Sequence, residues 1–176
     1  MGSPFRILRA RFDAATLDGL AELLLDVVEG GASVGFMLPL PRERAVAHAE
    51  ASLHSAERGE RIVLVAVDED DAIVGSVQVV LALPDNQLHR ADVAKMQVHR
   101  RARRRGLGEA LVRAAEAAAL EAGRDLLVLD TVTGSDAERL YARLGWQRVG
   151  EVPDYALWPQ GGRCGTTFFY RRLGRG

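Results

Sequence analysis

An arginine- and glycine-rich stretch in the middle of the chain has the composition of an anion-binding loop. It covers residues 98–109 with the sequence VHRRARRRGLGE, between a predicted strand and a predicted helix. Backbone N–H groups and the helix dipole favour an anion at such a helix start. Gly106 and Gly108 let the backbone approach a phosphate, and the arginines Arg103, Arg104 and Arg105 supply forked donors. The spacing R-x-x-G-x-G excludes the two best-known phosphate loops. A merely solvated arginine-rich turn is the alternative interpretation.

Two carboxylates are candidate groups for binding an ammonium or taking its proton. Asp92 is expected to share a strand face with Ala94, Met96 and Val98, which makes it a charge on an apolar row. Asp130 ends the next predicted strand, and ligands of open α/β sheets gather at such strand ends. The alternatives are an exposed strand start for Asp92 and a helix cap for Asp130.

Residues suited to metal or covalent chemistry are sparse in the sequence. The histidines lack a companion at metal-ligand spacing and are expected on the surface: His48, His54, His89 and His99. Cys164 is the only cysteine and has no adjacent histidine, so neither an internal disulfide nor a thiol nucleophile is indicated. We therefore expect no metal.

Composition indicates one globular domain, and its net charge gives no reason to expect binding to nucleic acid or to an anionic membrane. The chain has 176 residues, 48% of them hydrophobic, and a formal net charge of −1. No apolar run approaches the roughly 20 residues of a membrane helix, and residues 1–11 do not resemble a signal peptide. We expect a cytoplasmic protein that binds neither membrane nor nucleic acid. An arginine-rich nucleic-acid-binding module remains the competing interpretation, although no aromatic residues are interleaved among the arginines.

The elements that must position these residues are predicted to form a mixed α/β sheet. Hydrophobic periodicity predicts strands at 5–12, 61–67, 72–83, 89–98 and 124–130, helices at 14–28, 41–58, 108–122 and 135–144, and two extended segments within 146–173. The helix after the arginine loop makes strands 89–98 and 124–130 parallel neighbours through a right-handed crossover. On that helix, Glu109, Arg113 and Glu116 are expected to face solvent.

An apolar loop and an aromatic tail are candidate walls of a substrate site. Residues 33–39 are apolar and glycine-punctuated, so we expect them to pack on the core or close over a ligand. Ser33, Val34, Phe36 and Tyr155 are the substrate-binding candidates, with loop anchoring as the alternative for the aromatic residues.

A second motif downstream identifies a family resemblance. Residues 134–146, GSDAERLYARLGW, match A-x-x-L-Y-x-x-x-G-[FW]. Together with the R-x-x-G-x-G loop, this resembles the GNAT superfamily of N-acetyltransferases over nearly the whole chain. Within it, residues 31–36, 126–131, 149–155 and 166–170 resemble the tabtoxin-resistance acetyltransferases.

The resemblance implies acetyl-coenzyme A as the co-substrate and a parallel strand pair that splays apart to admit it. Main-chain groups of residues 96–98 (Met96, Gln97, Val98) would hold the pantetheine arm, and residues 103–108, Leu107 included, the pyrophosphate. Tyr141 would protonate the leaving thiolate. Gly134 stands where the superfamily often has Asn, so a side-chain contact to the cofactor is either missing or supplied by Ser135.

The expected reaction is direct acetyl transfer to the amino group of a small amino-acid-like or peptide-like compound. A sensor of the same fold that binds acyl-coenzyme A without turnover is the second alternative. The extended tail strands are a candidate homodimer contact.

Overall fold

Seven strands form a single mixed sheet in the order β1-β2-β3-β4-β5-β7-β6. The computed structural model describes residues 5–174. The strands are β1 (Arg6–Arg9), β2 (Arg61–Val67), β3 (Ile73–Val80), β4 (Arg90–Val98), β5 (Leu126–Val132), β6 (Gln147–Leu157) and β7 (Arg163–Arg172). The helices are α1 (Ala14–Glu29), α2 (Arg42–Glu57), α3 (Leu107–Glu121) and α4 (Asp136–Arg143). The predicted mixed α/β architecture is confirmed.

The predicted elements agree with the structure apart from their ends. Strand β2 has the predicted bounds, whereas β5 continues two residues beyond the predicted end, to Val132, so that Asp130 lies within a strand. Short 3-10 turns at Asp85–Gln87 and Arg100–Ala102 were not predicted. None of the described helices is long and apolar enough to cross a membrane.

The parallel pair β4–β5 is hydrogen-bonded only at its beginning. Pairing runs from Arg90 opposite Leu126 to Asp92 opposite Val128, and both strands then continue unpaired with each other. Strand β5 stays paired along its length with β7, and β4 with β3. The two strands therefore separate towards their carboxyl ends, and the predicted splay is present as a gap in the middle of the sheet.

A β-bulge interrupts strand β4 at the mouth of this gap. Ala94 is opposite Gln78 on β3, but Gln97 is opposite Ser76, so β4 has one extra residue between the two pairs. Within the extra segment, Lys95 has φ 51°, in the left-handed region that few non-glycine residues adopt. Bulges of this kind redirect side chains and recur beside active sites.

The bulge overturns the predicted face of Asp92. An extra residue inverts the alternation of side chains along the strand, so Met96 and Val98 pack against the main core on the same side as Val93. Asp92 and Ala94 lie on the opposite face of the sheet. The prediction that Asp92 shares a face with Met96 and Val98 is therefore wrong, because sequence alternation alone does not reveal a bulge.

A buried glutamate on α3 corrects a second prediction. Glu116 was expected to face solvent but is only 7% exposed. Its Oε1 accepts a hydrogen bond from Trp146 Nε1 at 3.0 Å and lies 3.0 Å from Arg171 Nε. Arg113 pairs with its other oxygen. The carboxylate thus joins α3 to the start of β6 and to β7, and the burial is tolerated because each oxygen has a charged or polar donor.

Candidate active site

A cavity of about 430 Å³ opens where β4 and β5 separate. Its walls are β4, β5, α4, the apolar loop and the end of the β6–β7 hairpin. The lining residues are Ala32–Gly35, Val93–Met96, Asp130–Val132, Ser135, Ala137, Tyr141, Tyr155, Ala156, Trp158 and Cys164–Thr166. The cavity thus brings together groups from both ends of the chain at the carboxyl ends of two parallel strands, where ligands of such sheets bind.

Asp130 is the one carboxylate among the described residues that line the cavity. Its Oδ2 accepts a hydrogen bond from Thr166 Oγ1 at 2.8 Å, which fixes the carboxylate while leaving acceptor capacity for a ligand. The helix-cap alternative for Asp130 does not hold, since Ser135 caps α4 by accepting from the Glu138 N–H. Asp130 is therefore available to an ammonium group in the cavity.

Lys95 is the other charged residue among the described lining residues. Its Nζ donates to the Val34 carbonyl at 2.6 Å and lies 5.5 Å from the centre of the Phe36 ring. Burial and the nearby Arg61 charge lower the pKa of this ammonium, while Asp130 opposes that shift. The sequence analysis did not select Lys95 as a site residue, although its being the only lysine in the chain was a usable signal.

Tyr141 lies on α4 with its ring buried at the cavity wall. The ring is 4% exposed and packs edge-on against Trp146 and near Phe169. No described residue accepts a hydrogen bond from its hydroxyl. Burial, helped by the negative charge of Asp130, raises the pKa of the phenol well above its usual 10. The hydroxyl therefore stays protonated and remains able to donate.

Asp92 lies apart from these groups. It is not among the described residues that line the cavity, and its carboxylate pairs with Arg90 two residues before it. It also lies in the short segment where β4 and β5 are still hydrogen-bonded to each other. The structure therefore does not bring Asp92 together with Asp130, contrary to the predicted pairing of the two carboxylates at one site.

The arginine loop lies at the start of α3, as predicted, and its arginines divide into two sets. Arg100 pairs with Asp26, and Arg101 with Asp68, so these two fasten the loop to the fold. Arg103, Arg104 and Arg105 are exposed, and within residues 5–174 none of them has a carboxylate within 4.0 Å. This second set remains available to bind an anion.

The start of α3 has free backbone donors beside those arginines. Gly106 is the N-cap, has φ 78°, and provides no side-chain acceptor to the first turn of the helix. The first N–H groups therefore point outward beside three arginines, an arrangement suited to a pyrophosphate.

Leu107 and Gly108 have a packing role in the same turn. Leu107 is buried in the main core, and a Cβ at position 108 would lie 3.1 Å from Leu140 on α4. Gly108 thus permits close approach of α4 to α3, a role that the prediction of phosphate access alone did not include.

The edge of β4 that faces the gap carries backbone groups that β5 does not pair, and one of them, the Val98 carbonyl, accepts a hydrogen bond from Arg103 Nε at 3.3 Å. The His99 N–H donates to Val74 O on β3, and strand residues alternate in the neighbour that they bond. The backbone N–H and C=O groups of Met96 and Val98 therefore point towards the gap, whereas those of Gln97 point towards β3. The Gln97 side chain is buried. This orientation is compatible with a pantetheine arm held by Met96 and Val98, and it makes a main-chain contact through Gln97 unfavourable.

The apolar loop covers one end of the cavity. Ser33 Oγ donates to Leu157 O at 2.9 Å, and the Leu38 N–H donates to Pro159 O at 2.9 Å, so the loop is fastened to the end of β6. Val34 and Phe36 pack against the α1 core. Tyr155, 53% exposed, contacts Phe168 edge-on and lines the same cavity. The expectation that this loop packs on the fold is confirmed.

Several further contacts complete the site. Ser135 lines the cavity, and its hydroxyl accepts from the Glu138 N–H, which leaves its hydrogen and one lone pair for the expected bond to a cofactor. Cys164 Sγ lies 3.8 Å from Ser33 Oγ. Among the described residues, no group of three or more His, Cys, Asp or Glu side chains is arranged to hold a metal ion.

Comparison with known families agrees with this geometry. A sequence model of the acetyltransferase (GNAT) domain matches residues 58–148, which include β4, the arginine loop, α3 and α4. A GNAT superfamily phosphinothricin acetyltransferase from Sinorhizobium meliloti, in complex with acetyl-coenzyme A, has a similar structure. The TM-score is 0.79 at 20% identity over 98% of this chain and 90% of that chain.

Two more solved structures share the fold. A Salmonella typhimurium protein, yncA, with its cofactor acetyl-coenzyme A, has a TM-score of 0.78 at 21% identity, over 98% of this chain and 95% of that chain. A ribosomal-protein-alanine N-acetyltransferase from Brucella melitensis has a TM-score of 0.77 at 22% identity, over 96% of this chain and 99% of that chain. At these identities the likeness concerns the fold.

Proposed function

Because the chain belongs to the GNAT acetyltransferase family, we propose that it transfers the acetyl group of acetyl-coenzyme A directly to the amino group of a small amino-acid-like or peptide-like compound. The observation that carries this proposal is the cavity between β4 and β5, whose described lining includes both Tyr141 and Asp130. The proposal rests on four features of that cavity and its entrance.

The first feature is the separation of the cofactor's anionic end from its reacting end. The pyrophosphate would bind Arg103–Gly108 at the start of α3, where free N–H groups lie beside arginines that have no carboxylate partner among the described residues. The pantetheine arm would lie along the unpaired edge of β4, and the thioester would lie beside the wall formed by α4 and β5. Acetyl-coenzyme A fits both the charge and the shape of this arrangement.

The second feature is the position of Tyr141. In direct transfer the amine nitrogen attacks the thioester carbonyl carbon, the C–S bond breaks, and the sulfur takes the Tyr141 hydroxyl proton. Burial raises the pKa of Tyr141, and burial would also raise the pKa of a thiol in the same cavity. Because burial raises both pKa values, the pKa of the phenol and that of the leaving thiol stay close enough for proton transfer.

The third feature is Asp130, which stabilises the incoming ammonium and accepts its proton directly or through water. An ammonium acceptor loses two protons in total: one balances the proton that Tyr141 gives to the sulfur, and the other is released to solvent. Asp92, paired with Arg90 outside the cavity, has no part in this scheme.

The fourth feature is the size and closure of the acceptor end. Residues 33–38 are hydrogen-bonded to the end of β6 and cover the cavity, which favours a compact acceptor over a polypeptide segment. The solved neighbours are named for phosphinothricin and for ribosomal-protein alanine, so the fold alone does not select the acceptor. The resemblance to tabtoxin-resistance acetyltransferases favours a peptide-like toxin among the small amines.

Release of free thiol from acetyl-coenzyme A tests the proposal across a panel of acceptors. The panel contains amino acids, dipeptide-like toxins, polyamines, aminoglycosides and peptides with free N-termini. We expect turnover of the amino acids or dipeptide-like compounds. Turnover confined to peptide N-termini or aminoglycosides would contradict the proposed acceptor class, and binding of acetyl-coenzyme A without any turnover would favour the sensor alternative.

A further inference from the structure

We infer that Lys95 forms an anion subsite in the acceptor cavity, so that the preferred acceptor carries a carboxylate or similar anionic group close to its amino group. This inference rests on the proposed function and narrows it from small amines to zwitterionic ones. The evidence for it is the position of the Lys95 side chain, its free N–H donors and the charges around it.

The backbone of β4 directs Lys95 to the cavity at an energetic cost. Lys95 occupies the bulge of β4 with φ 51°, a conformation that is unfavourable for a residue with a Cβ. In a regular strand the side chain at this position would simply follow the alternation of side chains between the two faces of the sheet. The bulge instead brings Lys95 to the wall between β4 and the apolar loop, where both elements line the cavity.

Gly35 in the apolar loop leaves room for the Lys95 ammonium. Gly35 has φ 92°, and a Cβ at that position would lie 3.0 Å from Lys95 Nζ. A side chain there would therefore displace the ammonium or cover it. The positive φ already favours glycine at position 35, and the missing side chain also leaves Lys95 Nζ uncovered on that side.

The ammonium has donors to spare. Lysine has three N–H donors, and one of them is used by the Val34 carbonyl. Within residues 5–174 no carboxylate lies within 4.0 Å of Lys95 Nζ. Two nearby charges act on it, the positive Arg61 and the negative Asp130, and the ring of Phe36 lies beside the cation. A half-buried ammonium in this setting favours an anionic partner.

Lys95 and Asp130 together match a zwitterion. They are the two charged groups among the described lining residues, and they have opposite signs. An acceptor with its ammonium at Asp130 and its carboxylate at Lys95 would satisfy both charges and direct the nitrogen towards the β5 side of the cavity, next to Tyr141. The same arrangement would disfavour polyamines, which bring a second positive charge towards Lys95.

The test compares an acetylated amino acid with its own carboxamide in wild-type enzyme and in Lys95→Met. The amide keeps the amine and the size but lacks the anion. We expect Lys95→Met to raise KM for the amino acid on the order of 10- to 100-fold, the range of a charge-assisted hydrogen bond. Its KM for the amide should change less than threefold. Lys95→Arg should recover part of the loss.

A matched control and three outcomes keep the test decisive. Arg44→Gln removes a different cation over the same Phe36 ring, but Arg44 is exposed and outside the cavity, so the preference for the acid should persist. Equal KM for acid and amide in the wild-type enzyme would overturn the anion subsite while leaving the proposed function intact. A fall in kcat for both acceptors in Lys95→Met would assign Lys95 to proton transfer and also overturn the inference. Failure of the wild-type enzyme on every small amine would refute the proposed function itself.

Discussion

Replacing Tyr141 with phenylalanine removes one hydroxyl group and retains the packing around the ring. The contacts with Trp146 and Phe169 are made by the ring, and no described residue accepts the hydroxyl hydrogen. The substitution therefore leaves no orphaned partner, and we expect stability to change by less than about 1 kcal/mol. For a chain of this length that corresponds to a shift in Tm of no more than about 4 °C.

The catalytic effect should be much larger than the effect on stability. Proton transfer by a positioned side chain contributes about 10² to 10⁴ in rate, so kcat should fall at least 10²-fold in Tyr141→Phe. In free energy this is about 2.7 kcal/mol of lost transition-state stabilisation. Acetyl-coenzyme A should bind with unchanged affinity, because the substitution leaves the arginines and the helix start at 103–108 unaltered.

Steady-state thiol release and calorimetric titration of the same samples separate these effects. Tyr170→Phe is the matched control, since Tyr170 lies on β7 outside the lining of the cavity and should leave kcat within twofold. The raised pKa of Tyr141 adds a pH criterion, because kcat of the wild-type enzyme should not decline below pH 10 through ionisation of this phenol. A kcat for Tyr141→Phe within threefold of wild type would refute its role as the acid.

Three more substitutions probe other parts of the site. Gly106→Val places a β-branched residue at φ 78° and should abolish the stabilisation by coenzyme A, about 2.7 kcal/mol at a ligand concentration 100 times Kd, in a thermal melt; an unchanged ligand-induced shift would contradict the phosphate site. Asp130→Asn should flatten the rise of kcat/KM with pH, and a change in KM alone would mark it as a binding group. Glu116→Ala should lower the free energy of unfolding by about 3 kcal/mol or more in urea, because the buried Trp146 Nε1 loses its acceptor and Arg171 loses its ionic partner; a loss below 1 kcal/mol would contradict that role.

Local sequence patterns were sufficient for the elements and for the position of the arginine loop. The four helices and the strands follow from the periodicity of apolar residues, and the arginine loop lies at the start of α3 as predicted. The crossover from β4 to β5 follows from the intervening helix, and the gap between them from the resemblance carried by the two motifs. These features depend on residues close together in the chain.

The acceptor end depended on contacts that the sequence does not record. The bulge at Lys95 is a property of the pairing between β3 and β4. It places Asp92 and Met96 on opposite faces of the sheet, whereas simple alternation predicts one shared face. The burial of Glu116 depends on Trp146 and Arg171, which are 30 and 55 positions away. For the same reason Lys95 was overlooked, since its importance arises from the loop that packs against it.

Competition between acceptors in one reaction is the most direct test of whether the enzyme acetylates small amino-acid-like or peptide-like amines. The wild-type enzyme is given acetyl-coenzyme A with an equimolar mixture of a free amino acid or dipeptide that is turned over, a short peptide carrying lysine, and a polyamine, and the products are identified by mass spectrometry. We expect acetylation on the nitrogen of the small amino compound, well ahead of the other two. Acetyl groups found chiefly on the lysine-containing peptide or the polyamine would contradict it.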